Sequence, residues 1–258
     1  MNYDVVAPEY DRRYERLRFD GVEAVLGRFI GESDTVDVAE VACGTGHWLA
    51  WFGDRVRSAA GLDLAPGMLQ RARNAAPRAR LVRGRAERLP WAAQSFDRLC
   101  CINALHHFDD VDAFLREACR VLRPGGTMLT IGLDPHTGLD AWWIYDYFPG
   151  ALESDRARYL ATGDIRQRLD ALGFAGATTD VAQHIRTAVP WAEAAAQGLL
   201  DRRSTSQLMV MSDAEYDEGM RRLQAEQPTL EADLRLYATV ARKTSSDRLT
   251  RSGSPPSR

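Results

Sequence analysis

The run Val36–Phe52, VDVAEVACGTGHWLAWF, constrains this chain more than any other stretch. A β-branched, apolar segment passes into the small-residue turn Ala42-Cys43-Gly44-Thr45-Gly46, and an apolar stretch of helical character begins at once. Strand, tight turn and helix in direct succession form the unit from which parallel α/β sheets are built. A second apolar run follows and closes on Asp63, so two carboxylates, Glu40 and Asp63, fall on neighbouring strands. A carboxylate at a strand tip beside a glycine turn suits a ribose diol.

The same alternation continues along the chain. Strands are expected at Val36–Cys43, Ala59–Leu64, Arg80–Arg83, Arg98–Ile102 and Thr127–Leu133, each short and apolar, as when helices cover both faces of a parallel sheet. Helical spacing appears in Asp110–Leu122, where Val111, Phe114, Leu115, Ala118 and Leu122 share a face and Pro124-Gly125-Gly126 ends the run. A further helix, Asp164–Leu172, is stopped by Gly173. Ser212-Asp213-Ala214-Glu215 has capping-box form ahead of Tyr216, Met220 and Leu223. Leu234–Ala241 is the last strand expected. The pattern predicts an α/β, Rossmann-like, doubly wound sheet. One domain is expected over residues 1–243, with an N-terminal cap at 1–30, acceptor-side insertions at 135–160 and 186–230, and a disordered Ser- and Pro-rich tail at 244–258.

Composition excludes several classes of function. Thirty-three basic and thirty-six acidic side chains give a net charge of −3 with no basic stripe, so nucleic acid is not expected as a partner. No apolar run approaches the ~20 residues of a membrane span, and the N-terminus is too charged for a secretory signal, so the protein is expected in the cytoplasm without a membrane partner. Lys243 is the only lysine, which removes lysine Schiff-base chemistry elsewhere. Cys43, Cys100, Cys101 and Cys119 lack metal-ligand spacing and read as reduced structural thiols. No metal site is predicted.

The glycine turn alone admits two cofactors. A dinucleotide fingerprint would need a third glycine at position 49, where this chain has Leu49, and no Tyr-x-x-x-Lys pair occurs. Glu40-x-Ala42-x-Gly44-x-Gly46 instead resembles the first motif of the class I S-adenosylmethionine-dependent methyltransferases, with alanine at the family's first glycine. The resemblance continues in order. Gly61–Leu69 is similar to the ribose motif, Gly84–Trp91 to the adenine segment with Arg85 where the family often has Asp, Ser95–Phe108 to the fourth motif, and Leu122–Gly126 to the turn before the fifth strand. Ala7-Pro8-Glu9-Tyr10-Asp11 resembles the cap segment of ubiquinone-biosynthesis-type small-molecule methyltransferases.

The resemblance implies seven strands with the last antiparallel, S-adenosylmethionine as cofactor, and methyl transfer to an O, N or C atom of a small-molecule acceptor. It implies cofactor contacts from Tyr10, Glu40, Ala42, Gly44, Gly46, Asp63, Leu64, Met68, Ala86, Glu87 and Asn103. A carboxylate inside an apolar strand supports this for Glu40 independently, because burying it without a partner is costly. His106, His107 and His136 have the intrinsic pKa of a general base and follow expected strand ends. Trp143, Tyr145 and Tyr147 lie in an aromatic segment after the fifth strand and are the acceptor-binding candidates, with Trp191 and the positions around Leu199 as a lid. A nicotinamide-dependent oxidoreductase and a non-catalytic S-adenosylmethionine-binding protein are the alternative readings.

Overall fold

The computed structural model describes residues 11–32 and 35–245. At its centre are the parallel strands β1 (Asp37–Val41), β2 (Ser58–Asp63), β3 (Arg80–Arg83), β4 (Phe96–Ile102) and β5 (Leu122–Gly132), followed in the chain by β6 (Ala141–Trp142), β7 (Phe174–Val189) and β8 (Leu230–Lys243). The sheet runs β3-β2-β1-β4-β5-β8, with β8 antiparallel to β5 and β7 antiparallel along the far side of β8. Seven strands and the single reversed one agree with the expectation; the two-residue β6, paired to Asp233 and Ala232 of β8, makes an eighth.

Alternation along the parallel strands sorts side chains to two cores. Val38, Cys100 and Leu129 point to one face, under Val22, Leu26 and Phe29 of α2 (Asp20–Ile30), which follows the short α1 (Arg12–Arg16), and under Trp48, Leu49 and Phe52 of α3 (His47–Phe52). Their neighbours Ala39, Cys101 and Met128 point to the other, under Phe114, Leu115 and Ala118 of α5 (Val111–Val121) and Ile165 and Leu169 of α8 (Thr162–Ala171). Each such buried Leu or Phe contributes roughly 1.5–3 kcal/mol. Three cysteines lie in these cores and Cys119 is half-buried; all four are unpaired thiols.

Local chemistry sets the helix ends. Pro66 opens α4 (Pro66–Ala75), the Asp110 carboxylate accepts from the Ala113 amide at 2.8 Å to cap α5, and Gly173 in the left-handed region, φ +82°, follows α8. The capping box at Ser212 and Glu215 is formed at the start of α11 (Asp213–Glu226).

The unexpected element is a ribbon. β5 pairs only with Tyr237–Arg242 of β8, so residues 230–236 run past the carboxyl end of the parallel strands, backed by Gln183–Val189 of β7. A third apolar cluster faces this extension. It is built from Trp143, Ile144 and Phe148 around α6 (Trp143–Tyr147), Ala151 of α7 (Gly150–Arg158), Ala194 of α9 (Trp191–Ala196), Leu208 of α10 (Ser206–Met209) and Leu223 of α11. Phe148 lies so close to α11 that a Cβ at Gly219 would stand 2.2 Å from its ring.

Candidate active site

The carboxyl ends of β1 and β2 bring the two predicted carboxylates together. Glu40 pairs in register with Gly61, two residues before Asp63. Glu40 is buried, and its Oε2 has no hydrogen-bond partner. Burial, and then the nearby Asp63 charge, push its carboxyl well above the usual range, opposed by a hydrogen bond from the Leu49 amide. Asp63 is spanned by two loops: its Oδ2 accepts from the Gly44 amide at 2.8 Å and its Oδ1 from the Ala65 amide at 2.9 Å. Those bonds use two of the roughly four acceptor positions of a carboxylate.

The turn between them is made of left-handed residues. Ala42, Gly44 and Gly46 have φ of +59°, +54° and +84°. Ala42 bears the strain of a Cβ in that region, about 1–2 kcal/mol. Gly46 has a second constraint, since a Cβ there would lie 2.9 Å from the Ala72 Cα of α4. Leu49 occupies the space beside Gly61: a Cβ on that glycine would come within 2.4 Å of Leu49 Cδ1. A leucine side chain thus stands at the position where a dinucleotide fingerprint has its third glycine.

The remaining predicted cofactor residues fall around this turn. Leu64 projects an apolar side chain that is 53% exposed, next to Asp63. Met68 differs from expectation in being only 2% exposed, a side chain buried in α4. Ala86 is buried. The Glu87 carboxylate accepts from the Asp109 amide at 3.0 Å, and Arg85 pairs with both Glu87 and Asp109, so the departure at Arg85 serves to tie two loops. Asn103, at φ +52°, ends β4 and donates its amide to the Ile131 carbonyl at 2.7 Å. Tyr10 lies outside the described residues.

Beside Asn103 opens a cleft of about 510 Å³. His106 and His107, on a single 3-10 turn after β4, line it. Trp143 lines it too, together with Trp142 and Leu199. Four predicted residues do not. His136 is spent on structure, its Nε2 lying 2.8 Å from the Tyr159 carbonyl oxygen and its amide donating to Asp134. Tyr145 turns its hydroxyl to the buried Asp155 at 2.9 Å, and Tyr147 donates to Glu226 at 2.6 Å under the Arg222 guanidinium. α6 carries its aromatics on more than one face, and only Trp143 reaches the cleft; Trp191 packs on the cap cluster. Missing from the sequence reading are Trp48, Tyr159, Gln207 and the ribbon residues Ile185, Val189 and Leu234. Trp48 follows the first motif directly, Leu234 opens the last expected strand, and Tyr159, Val189 and Gln207 fall in the expected acceptor-side insertions, but no local signal singles out any of them.

Among the described residues, no group of three or more His, Cys, Asp or Glu side chains is placed to hold a metal ion. No helix among them is long and apolar enough to cross a membrane.

Strand order, the glycine turn and the paired carboxylates define a class I S-adenosylmethionine-dependent methyltransferase fold, and the chain belongs with that class. Residues 39–130 match the family model described as a methyltransferase domain. An uncharacterized methyltransferase of Synechocystis is 30% identical over 139 residues, covering 53% of this chain and 66% of that protein. A demethylmenaquinone methyltransferase of Renibacterium salmoninarum is 32% identical over 138 residues, 49% of this chain and 55% of that one. The phthiotriol/phenolphthiotriol dimycocerosates methyltransferase of Mycobacterium leprae is 36% identical over 111 residues, 42% and 41% of the two chains. The match thus spans about two-fifths to two-thirds of these relatives. Among solved structures, the YcgJ protein of Bacillus subtilis superposes with a TM-score of 0.63 at 20% identity, over 88% of this chain and all of that one. The [4+2]-cyclase SpnF shares the fold with a TM-score of 0.58 at 18% identity, over 88% and 81%. The fold alone therefore does not name a reaction.

Proposed function

We propose that this protein transfers a methyl group from S-adenosylmethionine to a small organic acceptor bound in the cleft beside Asn103. One observation carries the reading: a buried carboxylate, Glu40, whose Oε2 is unpartnered, stands next to a strand-end carboxylate at a left-handed glycine turn. A buried anion needs a cation or hydrogen-bond donors, and the ammonium of the methionine moiety supplies both. The Asp63 carboxylate, fixed at the strand end by the Gly44 and Ala65 amides, is of the type that accepts from a ribose diol, and exposed Leu64 offers an apolar surface for the adenine. When bound, S-adenosylmethionine supplies a methyl already activated by its sulfonium. The protein's part is to orient the acceptor and exclude water, which the apolar walls of the cleft favour.

The acceptor is read as a small molecule of a biosynthetic route, not nucleic acid or membrane, and the protein as cytoplasmic; the net charge of −3 supports the first part of this. The oxidoreductase alternative is opposed by Leu49 packed against Gly61. Calorimetry with S-adenosylmethionine and with NAD tests the choice. Binding of the first alone is expected, and binding of NAD alone would refute the proposal. Formation of S-adenosylhomocysteine with an acceptor panel separates an enzyme from a protein that only binds the cofactor.

A further inference from the structure

The cleft is lined by unlike groups: Ile185, Val189 and Leu234 of the ribbon with Trp142 and Trp143, the charged Arg16, Glu193, Asp201 and Arg203, and, with Asn103, the rings of His106 and Tyr159. His106 is held flat there. Its ring stacks on Tyr159 with centroids 3.9 Å apart and planes at 14°. Tyr159 is fixed in turn: its hydroxyl accepts from Gln207 Nε2 at 3.3 Å, and the same nitrogen donates to Asp155 Oδ2 at 2.9 Å. Asp155 is fully buried and is also held by Arg158 and Tyr145.

The Tyr159 hydroxyl oxygen lies 3.0 Å from His106 Nε2. With the rings nearly parallel, that oxygen stands over the imidazole face, away from the in-plane direction in which a ring nitrogen donates or accepts. Among the described residues, no other hydrogen bond to the His106 ring occurs. Burial, then the neighbouring His107 and Arg158, hold this imidazole well below the usual histidine range, so it is neutral at physiological pH. A neutral imidazole carries one lone pair able to accept a proton. The neighbouring His107 ring is tilted 51° against it, with centroids 3.8 Å apart.

Building on the methyl-transfer reading, we infer that His106 receives the hydroxyl proton of a hydroxylated aromatic acceptor whose flat body lies between the tryptophans and the aliphatic ribbon. The acceptor oxygen forms a bond to the methyl carbon, the S–C bond breaks with its electron pair left on sulfur, and the O–H proton passes to the imidazole. One cation, the sulfonium, is replaced by another, the imidazolium, so the charge of the site is conserved. A base of low pKa suffices, because the repelling sulfonium charge disappears as the imidazole gains its own.

The test compares 2-naphthol with 2-methoxynaphthalene, which has the same body and no proton to give. Calorimetry of the full chain without cofactor is expected to show 2-naphthol binding about 3- to 10-fold more tightly, the effect of one hydrogen bond. His106→Phe, which keeps a stacking ring, is expected to bind both equally. With S-adenosylmethionine added, 2-naphthol is expected to yield 2-methoxynaphthalene, at least about 100-fold more slowly in His106→Phe. Equal affinities in the unmodified protein, no binding of either compound, a preference that survives in His106→Phe, or turnover indifferent to that change each overturns the inference. The unmodified protein decides by itself should the variant fail to fold. S-adenosylmethionine titrated into the same preparation separates the two levels: if it binds and the naphthol preference is absent, only the acceptor assignment falls; if it does not bind, the methyl-donor reading falls as well.

Discussion

Glu40→Gln isolates what the buried carboxylate does. The raised pKa of Glu40 has a definite sign: protons bind it more tightly in the folded protein than in the unfolded chain. Its ionisation therefore costs stability, beginning as pH rises above the unfolded value of about 4.3 and complete once pH exceeds the folded value. Glutamine has the same shape and no charge, so the variant's melting advantage is expected to be small at pH 5 and larger at pH 8. An unsatisfied buried polar group costs about 1–3 kcal/mol. For a domain of this size each kcal/mol moves the melting temperature by about 2–4 °C, so the gain at pH 8 is about 2–12 °C. Ligand binding should reverse the ranking. Pairing with an ammonium favours the charged form, so S-adenosylmethionine binding should release more protons from the unmodified protein than from Glu40→Gln. The variant should lose about 1.5–3 kcal/mol of affinity, the value of a hydrogen bond to a charged group. Scanning calorimetry at the two pH values and titration calorimetry in buffers of different ionisation enthalpy read both effects. Equal melting shifts at pH 5 and pH 8, with proton release unchanged by the substitution, would refute the reasoning.

Asp63→Ala removes the anchor of the Gly44 and Ala65 amides as well as the ribose acceptor. It should weaken S-adenosylmethionine binding by about 1–3 kcal/mol; unchanged affinity in a folded variant would contradict the assignment. Ala42→Gly relieves a left-handed alanine and should raise stability by up to about 1 kcal/mol in denaturant titration. Gly46→Ala should lower stability, because the added methyl meets the α4 backbone at 2.9 Å. Gly219→Ala should loosen the cap, its methyl arriving 2.2 Å from the Phe148 ring, and expose protected amides of α11 in hydrogen exchange while the parallel strands stay protected.

The parallel half of the molecule was legible because its information is local. Each of β1 to β5 is a short apolar run ending in a turn, and Glu40 is conspicuous as a charge inside one. β7 escaped notice for a physical reason. Register shifts between Ala175 and Thr178 and between Val181 and Gln183 break the period of two by which a strand is recognised, and many of its side chains are exposed. β8 is four residues longer at its start than the expected strand, and the added part carries Leu230 and Ala232, two of the four β8 residues that line the cleft. His136, Tyr145 and Tyr147 show the opposite limit. Residue type and chain position suggested a role for each, but their hydrogen-bond partners, the Tyr159 carbonyl, Asp155 and Glu226, come from elements 10 or more positions away. Tyr159 and Gln207 act only through their spatial neighbours, which no motif records.

β8 holds two jobs in one uninterrupted strand. From Tyr237 onward its backbone clamps the edge of the parallel sheet, while Leu230, Ala232, Leu234 and Leu236 contribute every second side chain to the wall of the cavity. Trading those four for larger or smaller residues would reshape what the cavity admits without disturbing a ladder hydrogen bond or the distant carboxylate pair. Variation of acceptor choice in such a scaffold can proceed by resizing alternate teeth of a single comb whose handle stays fixed.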